Sequence, residues 1–168
     1  MAFTIYDASV PVFQQTLSSL LVLLDKVEEH AAEKGIEAAS LLNASLAPDM
    51  FNFIRQIQIA TDHAKGCAAR LAGLEIPKYE DNETTVAELR ARIRKTLDFI
   101  GSVQAGQCAG AETRELKLVF PWATYEFTGQ RYVTYWALPN FFFHAVTAYD
   151  ILRQRGVPVG KADFLGAQ

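Results

Sequence analysis

The apolar period between Met50 and Gly73 constrains this chain more than any other feature. Met50, Ile54, Ile57, Thr61, Ala64, Ala68 and Leu71 recur in alternating steps of four and three, which places them on one face of an α-helix. Pro48 and Asp49 announce its start, and Gly73 suits the left-handed position just past its end. So regular a stripe has to be buried against other helices, and the rest of the chain supplies them.

From Asp7 onward, Val10, Phe13, Leu17, Leu20, Leu21, Leu24 and Val27 repeat at three and four, with Pro11 in the first turn and Gly35 as the stop. A turn of helix is expected around Ala38 to Leu42. Thr85 and Glu88 have capping-box spacing ahead of Leu89, Ile93, Leu97 and Ile100, which predicts a helix from Val86 to Ile100. A last helix runs from Thr128 to Arg155, ended by Gly156 and Pro158. Pro139 lies inside it and removes one backbone donor, so a kink or a shift of register is expected near Leu138. Between Glu115 and Phe127, Leu116, Leu118 and Phe120 alternate with other residues until Pro121 and Trp122 break the run. That pattern predicts a β-hairpin which must pack on the helices, because two strands alone are marginal. Trp122 and Trp136 are expected to pack this hairpin onto the last helix. The expected fold is all-α: a four-helix bundle with a small β-hairpin between the third and fourth long helices, as one domain over residues 1–168.

Bulk properties narrow the partners. The 168 residues are 50% hydrophobic and 21% charged, with a formal net charge of −3 and no basic stripe, so nucleic acid is not an expected partner. The apolar run Leu17 to Leu24 is too short for a membrane span, and no Lys or Arg precedes it before Lys26 to make a signal peptide. No membrane is expected, and the cytoplasm is the simplest location. Cys67 and Cys108 are the two cysteines and stand in no CxxC or Cys/His spacing, so buried free thiols are expected. No GxSxG, Walker or GxGxxG pattern occurs, and no residue is identified as catalytic.

The three histidines separate on helical wheels. His30, beside Glu28 and Glu29, and His63, beside Asp62 and Lys65, point away from their stripes, so both are expected in solvent and neither as part of a site. Arg90, Arg92, Arg94 and Lys95 likewise read as a solvated face. His144 differs, because Val133, Ala137, Asn140, Phe141, Thr147, Ala148 and Ile151 fall within about 60° of it on an ideal helix. Asn140 and His144 are therefore expected to point inward together. The other side of that helix carries Tyr135, Phe142, Val146 and Tyr149, so it needs a second cover. A homodimer through that face is expected, with the hairpin as the rival cover.

The opening YDASVPVF, the run LAPDMFNFIRQIQIATDHAKGCAARLAGLE, the segment FTGQRYVTYWALPNFFFHAVTAYDILRQRGV and the ending KADFLG carry a resemblance along nearly the whole chain. The sequence resembles an uncharacterised bacterial domain-of-unknown-function family within the DinB/YfiT-like helix-bundle superfamily. That superfamily includes metal-dependent enzymes, among them thiol S-transferases and maleylpyruvate isomerase-like proteins. Its members hold a divalent metal with three histidines, one from the second long helix and two from an HxxxH on the last. His144 matches the second histidine of that HxxxH, and Asn140 stands at the first, so this chain reads NxxxH. On the second long helix the nearest match to the third position is Gln58, with Gln56 as the alternative.

Carboxamide oxygens are weak neutral ligands, so this donor set favours no transition metal strongly. Three readings stay open. Asn140 and His144 form a buried polar pair, or they mark a small-molecule pocket, or His144 ligates Zn or Ni in an enzyme of the thiol S-transferase or hydrolase type. The expectation is a non-catalytic small-ligand-binding or interaction protein with no cofactor, its candidate site being Gln58, Asn140 and His144. His144 is the best single metal-ligand candidate.

Overall fold

In the computed structural model, which describes residues 2–166, the chain is mostly helical with one two-stranded hairpin. Helix α1 (Val10–Lys34) carries Pro11 in its first turn and closes on Gly35 at φ +64°. A single short helix, α2 (Ala38–Leu42), leads into α3 (Phe53–Ala72). The α3 helix begins later than its apolar period does, because the Asn52 side chain caps it by accepting from the Arg55 amide at 3.0 Å. Gly73 ends it at φ +69°, with the Leu74 amide donating back to the Ala69 carbonyl, and Arg114 donates to the Arg70 and Leu71 carbonyls at 3.0 and 2.8 Å. Helix α4 (Val86–Gly101) opens with the expected capping box between Thr85 and Glu88.

A 3₁₀ turn at Ala105–Cys108 precedes the antiparallel pair β1 (Glu115–Phe120) and β2 (Ala123–Thr128), which register Glu115 opposite Thr128 and Phe120 opposite Ala123. Trp136 meets Phe120, Tyr125 and Phe127 with centroids 4.7 to 5.9 Å apart and so holds the hairpin on the helices, whereas Trp122 is 76% exposed and stacks on Phe120. The chain re-enters helix at Gly129, where a Cβ would lie 1.9 Å from the Ala111 carbonyl oxygen; only glycine fits.

The last long helix is not one uninterrupted α-helix. A short α5 (Gly129–Tyr132) passes through a π turn at Val133–Ala137 into α6 (Leu138–Gln154), and Pro139 falls in the first turn of α6, where its missing donor costs nothing. The proline thus acts through register: the wider turn rotates the residues before it against those after it. Helix α7 (Lys161–Leu165) follows.

Helix α3 packs along α6 and α4, and α1 packs along α4 and against α6 and α7, around one core in which Phe13 and Phe141 meet edge-on at 4.7 Å. The expected outer face of the last helix is covered in part. Phe142 and Tyr149 are half-buried, Tyr149 against Phe164 of α7, and the exposed apolar residues are Tyr135, Phe143 and Val146.

Expectations about solvent exposure fail at His30 and Arg92, and at His63, which is half-buried. His30 is buried, because α1 carries more than one covered face. Arg92 is 3% exposed: it donates to Thr61 Oγ1, the Gln58 and Glu80 carbonyls, Glu83 and Asp62, and pins residues 80–83 across α3 and α4. Its long aliphatic stem let a residue off the apolar stripe reach inward. Among the described residues no helix is long and apolar enough to cross a membrane.

Candidate functional site

Helices α3 and α6 bring three polar side chains together at their seam. His144 Nδ1 lies 2.7 Å from Gln56 Oε1, and the rings of His63 and His144 are 6.0 Å apart and within 14° of parallel. Gln56 and His63 are seven residues apart, two helical turns, so they share one face of α3 and meet α6 together.

The geometry fixes the chemistry of His144. Gln56 Nε2 donates to the Phe51 carbonyl at 3.1 Å, which orients the carboxamide with its oxygen toward the imidazole. An amide oxygen only accepts, so His144 carries its proton on Nδ1 and its lone pair on Nε2. Burial, reinforced by the Arg55 charge, pushes the His144 pKa down to about 4. Burial first, then the neighbouring His144, Arg70 and Lys65, push His63 down to about 4 as well. At neutral pH the site is two uncharged imidazoles near Arg55, Arg70 and Lys65, of which Arg55 is paired with Asp81 and Lys65 with Asp62. Such a pair can accept a hydrogen bond, take a proton or ligate a soft metal. Phe143, 57% exposed, meets His144 edge-on at 5.2 Å.

The expected site residues divide. Gln58 is buried but faces away from His144: its carboxamide accepts from Arg55 and donates to Glu83 at 2.9 Å, so it belongs to the network beneath residues 80–83. At 200° around the helix from Gln56 it has to face elsewhere; the alternative, Gln56, is the glutamine at the histidine. Asn140 is half-buried and makes no hydrogen bond to His144, its amide donating at 2.7 Å to the Trp136 carbonyl one turn back, beside the π turn. His63 was expected in solvent and is instead half-buried against His144, because α3 is covered on both flanks. The missed signal was its seven-residue spacing from Gln56.

A separate cleft of about 510 Å³ lies between residues 78–83 and α4, with Tyr79 and Arg92 in its lining and none of the histidine-pair residues.

Three-histidine ligation does not fit these residues. Asn140 and Gln56 are committed to other partners, and among the described residues no three His, Cys, Asp or Glu side chains cluster as a metal would require.

No curated protein matches the sequence. The structure is similar to the crystal structure of a DinB family member protein from Shewanella denitrificans, with 43% sequence identity, a TM-score of 0.90, and coverage of 97% of this chain and 92% of that one. The sequence matches the family model described as Domain of unknown function (DUF1993) over residues 5–165, and the chain belongs to that family.

Proposed function

We propose that this chain is a DinB-like four-helix bundle that binds a small molecule at the His144 and His63 pair, without catalysis and without a resident metal. The observation that carries the reading is the bridge from the Phe51 carbonyl through Gln56 to His144 Nδ1, which leaves the acceptor lone pair of the ring on Nε2. A histidine held only for packing has no need of a fixed tautomer. The test is a diverse small-molecule screen read on the imidazole nitrogen resonances of wild type and His144→Ala. The reading fails if no compound moves the His63 or His144 signals.

One observation favours a second reading. The presence of a second neutral imidazole beside His144 supports a Zn- or Ni-dependent enzyme of the thiol S-transferase or hydrolase type, completed by a donor not in this pair. Metal content after purification without chelator or affinity tag separates the two. Stoichiometric zinc or nickel that disappears in His144→Ala would replace the first reading with the second.

Exposed Tyr135, Phe143 and Val146 support a homodimer through α6, with the ligand site beside the seam. Sedimentation that finds only monomer at micromolar concentration removes the dimer. The charge balance and the absence of a long apolar helix among the described residues support a cytoplasmic protein with no nucleic-acid or membrane partner.

A further inference from the structure

We propose that the cleft between residues 78–83 and α4 binds a small oxyanion, a carboxylate or phosphate group, through Lys95 and Lys78. The site is separate from the histidine pair and does not depend on what that pair binds.

The charged groups lining the cleft divide into those already matched and those not. Arg92 is committed: its guanidinium donates to Thr61, to the Gln58 and Glu80 carbonyls, to Glu83 and to Asp62, and it is ion-paired with Asp81 as well. Glu83 accepts from Arg92 at 3.1 Å and from Gln58 at 2.9 Å. Glu88 is turned to the start of α4, where it accepts from the amides and hydroxyls of Thr84 and Thr85 at 2.8 to 3.1 Å and faces the positive end of the helix dipole. Lys78 and Lys95 are different, because among the described residues neither has an ion-pair partner. Against these two cations stands one carboxylate without an ion pair, Glu80, which accepts from Asn82 at 3.3 Å. The unmatched charge in the cleft is therefore positive, and it comes from both walls, Lys78 on the loop and Lys95 on α4.

Lys95 is fixed in place without being neutralised. Its ammonium lies 4.3 Å from the centroid of the Tyr79 ring, which also lines the cleft. A carboxylate partner would fix this side chain and cancel its charge. An aromatic face fixes it and leaves the charge and three N–H donors for a ligand. Lys65 and Arg92 also lie over this ring, at 4.5 and 5.2 Å, but both are paired with Asp62. The ring itself is kept in position by the loop, which Arg55 and Arg92 pin through Asp81 and the Glu80 carbonyl. A cleft of about 510 Å³ suits a small molecule, and two point-like ammonium donors suit a compact oxyanion.

The test is calorimetric titration with inorganic phosphate and with succinate, at a constant ionic strength of about 0.15 M so that diffuse attraction is screened. Wild type is compared with Lys95→Gln, Lys78→Gln and Glu80→Gln, all at exposed positions, and circular dichroism checks that each variant is folded. The expected result is saturable binding of at least one anion, with at least tenfold loss in Lys95→Gln and severalfold loss in Lys78→Gln. Glu80→Gln should tighten binding severalfold, because it removes the one carboxylate that opposes the anion. Tyr79→Leu leaves every charge in place and should still weaken binding severalfold, which general attraction to surface lysines would not do. His144→Ala should bind as wild type does. Saturation by phosphate alone assigns a phosphate group, and by succinate alone a carboxylate. No saturation by either below about 10 mM, binding indifferent to Lys95→Gln, weaker binding in Glu80→Gln, or loss of binding in His144→Ala would each overturn the proposal.

Discussion

Acidification should destabilise this protein through His63 and His144 before most of its carboxylates respond. Unfolded histidines titrate near 6.5, whereas burial holds both of these down to about 4 in the folded chain. Between those values the unfolded state binds more protons than the folded one, so stability present above pH 6.5 is lost as pH falls toward 4. For one such group the loss between pH 7 and pH 5 is about 1.9 kcal/mol, and the pair would double it. Because both rings are partly exposed, solvent screening reduces the combined effect to about 2 kcal/mol. Hydrogen bonds from Thr84 and Thr85 hold Glu88 below its ordinary value, and at Asp81 burial is outweighed by the Arg55 hydrogen bond and the Arg55 and Arg92 charges to the same effect, so neither carboxylate is shifted toward the histidines' range. The assay is urea denaturation followed by circular dichroism at pH 7 and pH 5, for wild type and for the double variant His63→Gln, His144→Gln. The wild type should lose about 2 kcal/mol more than the variant. Equal losses, or an NMR titration midpoint above 6 for either histidine, would refute the neutral buried pair.

Gly129→Ala drives a methyl group into the Ala111 carbonyl oxygen at 1.9 Å and should cost roughly 3 kcal/mol or prevent folding, as seen by thermal denaturation. Arg92→Met removes the donor to Thr61, Glu83 and Asp62 and should destabilise by about 3 kcal/mol, with faster proteolysis within residues 74–84; unchanged cleavage there would argue against Arg92 as the anchor of that segment. Thr85→Ala breaks the capping box of α4 and should cost about 1 kcal/mol in urea denaturation, with little change in the His144 resonances.

Local patterns carried the helices. The three-and-four spacing of α1, α3 and α4, the Thr85 and Glu88 box, the Gly35 and Gly73 stops and the hairpin were all readable, because backbone sterics, capping and amphipathic burial act within a few residues. So was the inward placement of His144 on its helix.

Which atoms meet His144 was decided by packing between distant parts of the chain. A single wheel treats a helix as having one buried side, and α3 has two, so His63 came in from the solvent side and Gln58 turned to Glu83. The π turn before Pro139 left Asn140 one turn from the Trp136 carbonyl, where its amide found a partner nearer than His144. The sequence by itself determined the apolar faces of the long helices, the Gly35 and Gly73 stops and which helix carries His144. Only the tertiary structure decided that Gln56 sets its tautomer and His63 stands beside it, because an 88-residue separation between Gln56 and His144 leaves no local signature of a 2.7 Å contact.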